Sequence, residues 1–232
     1  MKKIRIYITA LLGIVLLNSC ELNKVDNYDG PNATIYGGIY DIETGELVQQ
    51  DIIRGTQIEY TEYGYDNPVI QYLVVKNDGT FRNNLMFANT YSIAPMRGNF
   101  VAVPKQDIEV KGETKIDFKV QPYIRIKNAK IEKQGNKIVA TFNIKQTVDN
   151  NVSKIGLFAH LEPNVGDPLN TVSTQVTINA VTNESTLYTL EIDLQANSSK
   201  LQTGKQYYFR IGALINAPEA KYNYAPAVRL TL

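Results

Sequence analysis

Over residues 137–145 every second side chain is apolar, with Ile138, Ala140, Phe142 and Ile144 in one row and Val139, Thr141, Asn143 and Lys145 in the other. A strand turns successive side chains to opposite faces, so this period of two buries one face of a sheet and wets the other. Tyr188, Leu190, Ile192 and Leu194 repeat the pattern with Glu191 and Asp193 between them, and Ile116, Phe118 and Val120 alternate with Lys115, Asp117 and Lys119. No stretch sustains the three-and-four spacing of an amphipathic helix. The chain reads as all-β.

Short β-branched and aromatic runs bounded by turn residues place the strands. The first half offers 33–40, 57–60, 69–75, 91–94 and 114–120, with Thr44-Gly45 and Asn77-Asp78-Gly79 as turns. The second half offers 123–131, 137–145, 154–160, 171–178, 187–194, 206–215 and 227–232, which is the strand count of an immunoglobulin-type sandwich. Pro122 interrupts a continuous central strand, so a domain boundary is placed beside Gln121-Pro122. The expectation is two β-sandwich domains in tandem, over 32–121 and 122–232.

The N-terminus has a different character. Lys2, Lys3 and Arg5 precede an apolar run from Ile6 to Leu17, the layout of a secretory signal. The run is shorter than the roughly 20 apolar residues a spanning helix needs. It ends in Leu17-Asn18-Ser19-Cys20, which resembles a lipobox, the string at which bacterial export machinery joins diacylglycerol to a cysteine and cuts before it. Residues 1–19 are therefore expected to be removed and Cys20 to carry the lipid, two or more acyl chains giving stable anchoring. Residues 20–31, polar and rich in Asn, Asp and Gly, read as a flexible tether. Cys20 is the only cysteine, so with lipid attached no thiol is left for a disulfide, a nucleophile or a metal.

Two local strings carry further resemblances. Gly38-Ile39-Tyr40-Asp41-Ile42-Glu43-Thr44-Gly45-Glu46-Leu47, then Asn77-Asp78-Gly79-Thr80-Phe81 and Tyr91-Ser92-Ile93, resembles a transthyretin-like, or carboxypeptidase-regulatory-like, sandwich; where that fold has Gly-x-Tyr, this chain has Asn89-Thr90-Tyr91. Leu201-Gln202-Thr203-Gly204-Lys205-Gln206-Tyr207 resembles the strand entry of fibronectin type III domains and makes Tyr207 a corner residue. The order of lipobox, tether, transthyretin-like domain and immunoglobulin-like domain resembles a Bacteroides-type lipoprotein family built on domains of unknown function. That resemblance implies an accessory of a Sus-type uptake system, with an outer-membrane barrel transporter, its substrate-binding lipoprotein and an oligo- or polysaccharide as partners. It places the protein at the outer membrane. The surface-export signal of such bacteria is an acidic cluster after the cysteine; residues 21–26 are mixed in charge, and the cell surface is favoured over the periplasmic face.

No catalytic constellation is visible. His160 is the only histidine, so a histidine-rich zinc site cannot be assembled, and a histidine-paired nucleophile would have to rest on this one residue, which reads as a strand-end or partly buried polar side chain. Glu59 and Glu62 flank a loop without establishing a glycosidase pair, and Asp26, Asn27, Asp29 and Asn32 do not match a calcium-loop spacing. No cofactor is implied, and 24 basic against 23 acidic side chains exclude a nucleic-acid footprint. What invites a ligand is Tyr60, Glu62, Tyr63, Tyr65 and Asp66, tyrosines interleaved with carboxylates. Sugar rings stack their apolar faces on aromatics while carboxylates take the hydroxyls; the same tyrosines could equally pack the loop. Tyr222 and Tyr224, before the last strand, form a second aromatic cluster at a sandwich end. Two functions follow from these readings. One is a non-catalytic envelope lipoprotein that binds glycan or docks on a transporter; the other is an adhesive or structural lipoprotein whose sandwiches act as spacers or pair strands.

Overall fold

The computed structural model describes residues 29–232, and none of them is in an α-helix. The expected leader, lipidation at Cys20 and most of the tether lie outside the described residues. Residues Asn32–Leu232 form one compact unit.

The first sandwich contains β1 (Ala33–Asp41), β2 (Gln57–Glu62), β3 (Ile70–Val74), β4 (Thr80–Met86), β5 (Asn89–Met96), β6 (Gln106–Val110), β7 (Glu113–Lys115) and β8 (Phe118–Val120). One sheet runs β4-β1-β7, with β8 also on β1, and the other runs β3-β2-β5-β6. Between them Ile35, Ile39, Ile58, Phe81, Tyr91 and Phe118 are buried. Two strands carry no apolar signal in the sequence. β4 and β6 are sheet edges that bury only one or two side chains each, so little of their sequence is under pressure to be apolar.

The single strand expected over 114–120 is instead two. β7 and β8 both lie parallel to β1, at Thr34–Tyr36 and Ile39–Asp41. At the break, Asp117 Oδ1 accepts the Gly38 N–H at 3.1 Å in place of a ladder carbonyl. A Cβ on Gly37 would stand 1.7 Å from the Ile116 carbonyl oxygen, so only glycine lets the two backbones come this close. Ile116, Phe118 and Val120 are all buried. The period of two survives the interruption.

The second sandwich contains β9 (Ile124–Gln134), β10 (Lys137–Gln146), β11 (Val152–His160), β12 (Val172–Ala180), β13 (Tyr188–Asp193), β14 (Gln206–Ile215), β15 (Asn223–Tyr224) and β16 (Val228–Thr231). β13-β10-β9 forms one sheet, and β12-β11-β14-β15, with β16 on β14, forms the other. Seven of these correspond to the expected strands, and the two-residue β15 is additional. The core between the sheets holds Ile138, Phe142, Leu157, Leu190, Phe209 and Ile211.

Tyr207 turns the corner into β14. Its buried hydroxyl accepts the Gln202 N–H at 3.0 Å and donates to the Lys200 carbonyl at 3.2 Å. Tyr207→Phe leaves both backbone groups without that partner. It should lower unfolding stability by about 1–2 kcal/mol in denaturant titration, and an unchanged midpoint would remove the corner from the stability account.

Candidate functional site

The loop between β2 and β3 is shaped by polar side chains at its base. Asn89 Nδ2 donates to Glu62 Oε1 at 2.9 Å and to the Tyr63 carbonyl at 3.0 Å, and the Tyr63 N–H donates to the Thr90 carbonyl at 3.0 Å. Gly64 then turns the chain at φ +98°. Tyr63 Oη donates to Asp107 Oδ1 at 2.9 Å, which ties the half-exposed ring to β6. Tyr65 is 63% exposed, and Asp66 is exposed beside it.

Tyr60 does not join them. It is buried, its hydroxyl donates to Gln71 Oε1 at 3.2 Å, and its ring meets Tyr91 edge-on at 6.1 Å. Burial, and then the charge of Glu62, push the Tyr91 hydroxyl up to about 12. Glu62 thus serves the loop base and the core rim, and Tyr60 is a packing residue. A strand that alternates inside and outside cannot present Tyr60 and Tyr63 on one face.

The structure adds a residue the sequence did not single out. Tyr72 pairs with Glu59, and Ile70 with Thr61, across β3 and β2, and directly opposed residues share a face. On the neighbouring strands Thr61 pairs with Ser92, and Ser92 with Asp107. Tyr63, Ile70, Tyr72 and Val74 therefore border the same outer sheet face, with Glu59 and Asp107 among them. Glu59 is held by Lys105. Among the described residues, eight of the fifteen exposed large hydrophobic side chains lie from Tyr63 to Phe87, so this stretch of the first sandwich carries much of the apolar surface that folding leaves uncovered. The run 69–75 shows β-branched and aromatic residues in both rows; only the placement of β3 at a sheet edge reveals that one row is open.

The second tyrosine cluster is differently placed. Tyr222 and Tyr224, expected in an open loop, are buried in the seam between the sandwiches. They stack at 5.6 Å with Phe158 edge-on to both, and Tyr224 sits where Gly212 has no Cβ. Tyr224 Oη accepts the Asp167 N–H at 2.9 Å, and Tyr222 Oη donates to Gln175 Oε1 at 2.9 Å. Burial pushes both hydroxyls well above their ordinary value. Their ring faces are taken by protein, which removes them as sugar platforms.

Over Tyr224 lies the guanidinium of Arg210, 4.3 Å from the ring centroid. All five of its N–H donors are used. Nη1 reaches the carbonyls of Gln50 and Val165 at 2.9 and 3.3 Å, Nη2 reaches Gln49 Oε1 and the Asn77 carbonyl at 3.1 and 3.0 Å, and Nε reaches the Ala225 carbonyl at 3.0 Å. Burial lowers its pKa to about 10, so it stays charged at neutral pH. Asn99 adds a second link, donating to the carbonyls of Gln49 and Tyr222 at 2.8 and 3.0 Å. A third is ionic: Arg125 grips Asp41 through Nε and Nη2, the latter at 2.7 Å, and reaches Glu43 at 2.8 Å.

Asn223 in this seam donates Nδ2 to the Asn99 carbonyl at 2.9 Å. That bond fixes the amide orientation, because the reverse would set two acceptors together. Its Oδ1 is the one buried side-chain N or O atom among the described residues with no partner, at a cost of about 1–3 kcal/mol.

His160 ends β11 with Nδ1 accepting the Glu162 N–H at 3.0 Å, a strand-end contact. Among the described residues no group of three or more His, Cys, Asp or Glu could hold a metal.

Residues 33–121 match the N-terminal domain of a family described as "Protein of unknown function (DUF3823)", and residues 124–229 match its companion, "Domain of unknown function (DUF3823_C)". The chain belongs to the DUF3823 family. A Bacteroides uniformis structure named "a putative carbohydrate binding protein" is 39% identical, with TM-score 0.81, covering 88% of this chain and 100% of its own. DUF3823 structures from Parabacteroides merdae and Bacteroides ovatus share the fold at 24% and 22% identity, with TM-scores of 0.76 and 0.70, covering 88% and 87% of this chain and 100% of theirs. No curated protein matches the chain.

Proposed function

We propose that this DUF3823 protein is a non-catalytic envelope lipoprotein that binds oligosaccharide on the outer face of the β3-β2-β5-β6 sheet, as an accessory of an outer-membrane nutrient uptake system. The observation that carries the reading is the open tyrosine border, where Tyr63 is pinned by Asp107 and Tyr65 and Tyr72 stay exposed. Exposed rings beside carboxylates on a rigid sheet suit a sugar chain, whose C–H faces stack and whose hydroxyls donate. The name of the 39%-identical relative supports the same class of ligand.

Affinity electrophoresis through gels containing different polysaccharides tests it. The wild-type protein is expected to be retarded by at least one of them. Tyr63→Ala with Tyr65→Ala should weaken that retention about fivefold to 150-fold, since aromatic contacts contribute about 0.5–1.5 kcal/mol each. No retardation on any polysaccharide, or no change in the double variant, ends the glycan reading of this face. Anchoring is tested separately: labelled fatty acid should enter the wild-type chain and be lost in Cys20→Ala.

One observation favours the adhesive alternative. Among the described residues β3 pairs only with β2, and a free strand edge is a template for strand addition. Cross-linking from Tyr72 in intact cells to a surface fibre and not to a barrel transporter, with no polysaccharide retention, would favour that reading over the first.

A further inference from the structure

A cleft of about 310 Å³ opens along the seam between the two sandwiches. The turn after β1 supplies Thr44, Glu46 and Leu47, β9 supplies Ile126 and Lys127, Pro226 lies opposite, and the mutually paired Asp41 and Arg125 also line it. We propose that this cleft is a second binding site, separate from the tyrosine face, and that it takes a single neutral sugar ring such as the end of an oligosaccharide.

Three properties carry the proposal. The volume lies at the low end for small-molecule pockets, which suits one ring and not a chain. Leu47, Ile126 and Pro226 offer an apolar wall for the C–H face of a pyranose. Glu46 and Lys127 both line the cleft, and neither forms an ion pair among the described residues. A hydroxyl can donate to the carboxylate and accept from the ammonium, while the opposed charges leave no net field to select an ion.

The site is also preformed. Its walls come from different sandwiches, yet Arg125 with Asp41 and Arg210 with the carbonyls around it hold them in register. A ring entering such a cleft orders little of the protein, so one ring suffices for measurable affinity. The proposal rests on the glycan reading for its ligand class only, since none of its residues belongs to the tyrosine face.

The test titrates the isotopically labelled mature protein with the methyl glycosides of glucose, galactose, mannose and xylose, each to about tens of millimolar, above the millimolar affinity expected of one ring. For at least one glycoside, amide shifts should gather at Glu46, Ile126 and Asn223. Glu46→Gln and Lys127→Met, which break no ion pair, should each weaken that binding at least about tenfold, or about 1.4 kcal/mol. Tyr63→Ala with Tyr65→Ala should leave it unchanged. Shifts confined to residues 60–74, no shifts with any of the four, or binding indifferent to both cleft variants would each overturn the second site. Polysaccharide retention that depends on Tyr63 would survive those outcomes, so the two readings fail independently.

Discussion

Arg210→Met should lower the stability of the protein by about 3 kcal/mol or more, a loss on the scale of breaking a buried polar network. Among the described residues the cation has no carboxylate partner; its charge is met by four backbone carbonyls, one amide oxygen and the face of Tyr224. Methionine fills much of the volume and removes a buried charge, which offsets part of the loss. It also strands five acceptors at once, each worth about 1 kcal/mol as a hydrogen bond. Arg210→Lys keeps the charge but offers three donors from a point where the guanidinium offers five in a plane, so it should recover only part. Chemical denaturation followed by far-ultraviolet dichroism and by tyrosine fluorescence measures both. If Arg210→Met unfolds within about 0.5 kcal/mol of wild type, an ordinary surface-sized effect, the seam is not what holds the sandwiches together.

Breaking the ionic link should have the next largest effect, with a pH signature of its own. Arg125→Met leaves the Asp41 carboxylate in a nearly closed site and is expected to cost about 2–4 kcal/mol at neutral pH. Burial alone would raise the Asp41 pKa, but the Arg125 hydrogen bonds, the Glu43 N–H and the Arg125 charge outweigh it and hold the carboxyl below its ordinary 3.8. A carboxylate with a lowered folded value stabilises the protein at pH above the unfolded value, and the stabilisation disappears as pH falls through the folded one. Wild-type stability should therefore decline below about pH 4, and Arg125→Met should flatten that decline. Equal acid dependence in the two proteins would show that Asp41 does not couple to Arg125 in solution.

The alternating rows over 137–145 and 188–194 were legible because a sandwich core presses on every second residue of a central strand. β4 and β6 were not legible, because an edge strand buries too little to enforce a pattern. The split of 114–120 was hidden for another reason: Ile116, Phe118 and Val120 keep their parity across a break caused by Asp117 capping Gly38, a contact with a residue far away in sequence. At the candidate site, the chemistry of Tyr63 and Tyr65 was readable from their neighbours, whereas Tyr72 became visible only through its pairing with Glu59. Tyr222 and Tyr224 look like a loop pair in sequence. Their burial depends on Gly212, Phe158 and Arg210, which no local spacing brings to mind.

The seam has a consequence for how such a protein can be inherited. Arg210 lies in the second of the two modules, but three of its five acceptors, the carbonyls of Gln50 and Asn77 and the amide oxygen of Gln49, lie in the first. A recombination event that carried the second module into another gene would deliver a desolvated cation without the groups that solvate it, and the first module would arrive with its carbonyls unmet. The boundary at Pro122 is a seam in the text of the gene but not a place where it can be cut, so the pair is expected to travel together and to vary together on either side of Arg210.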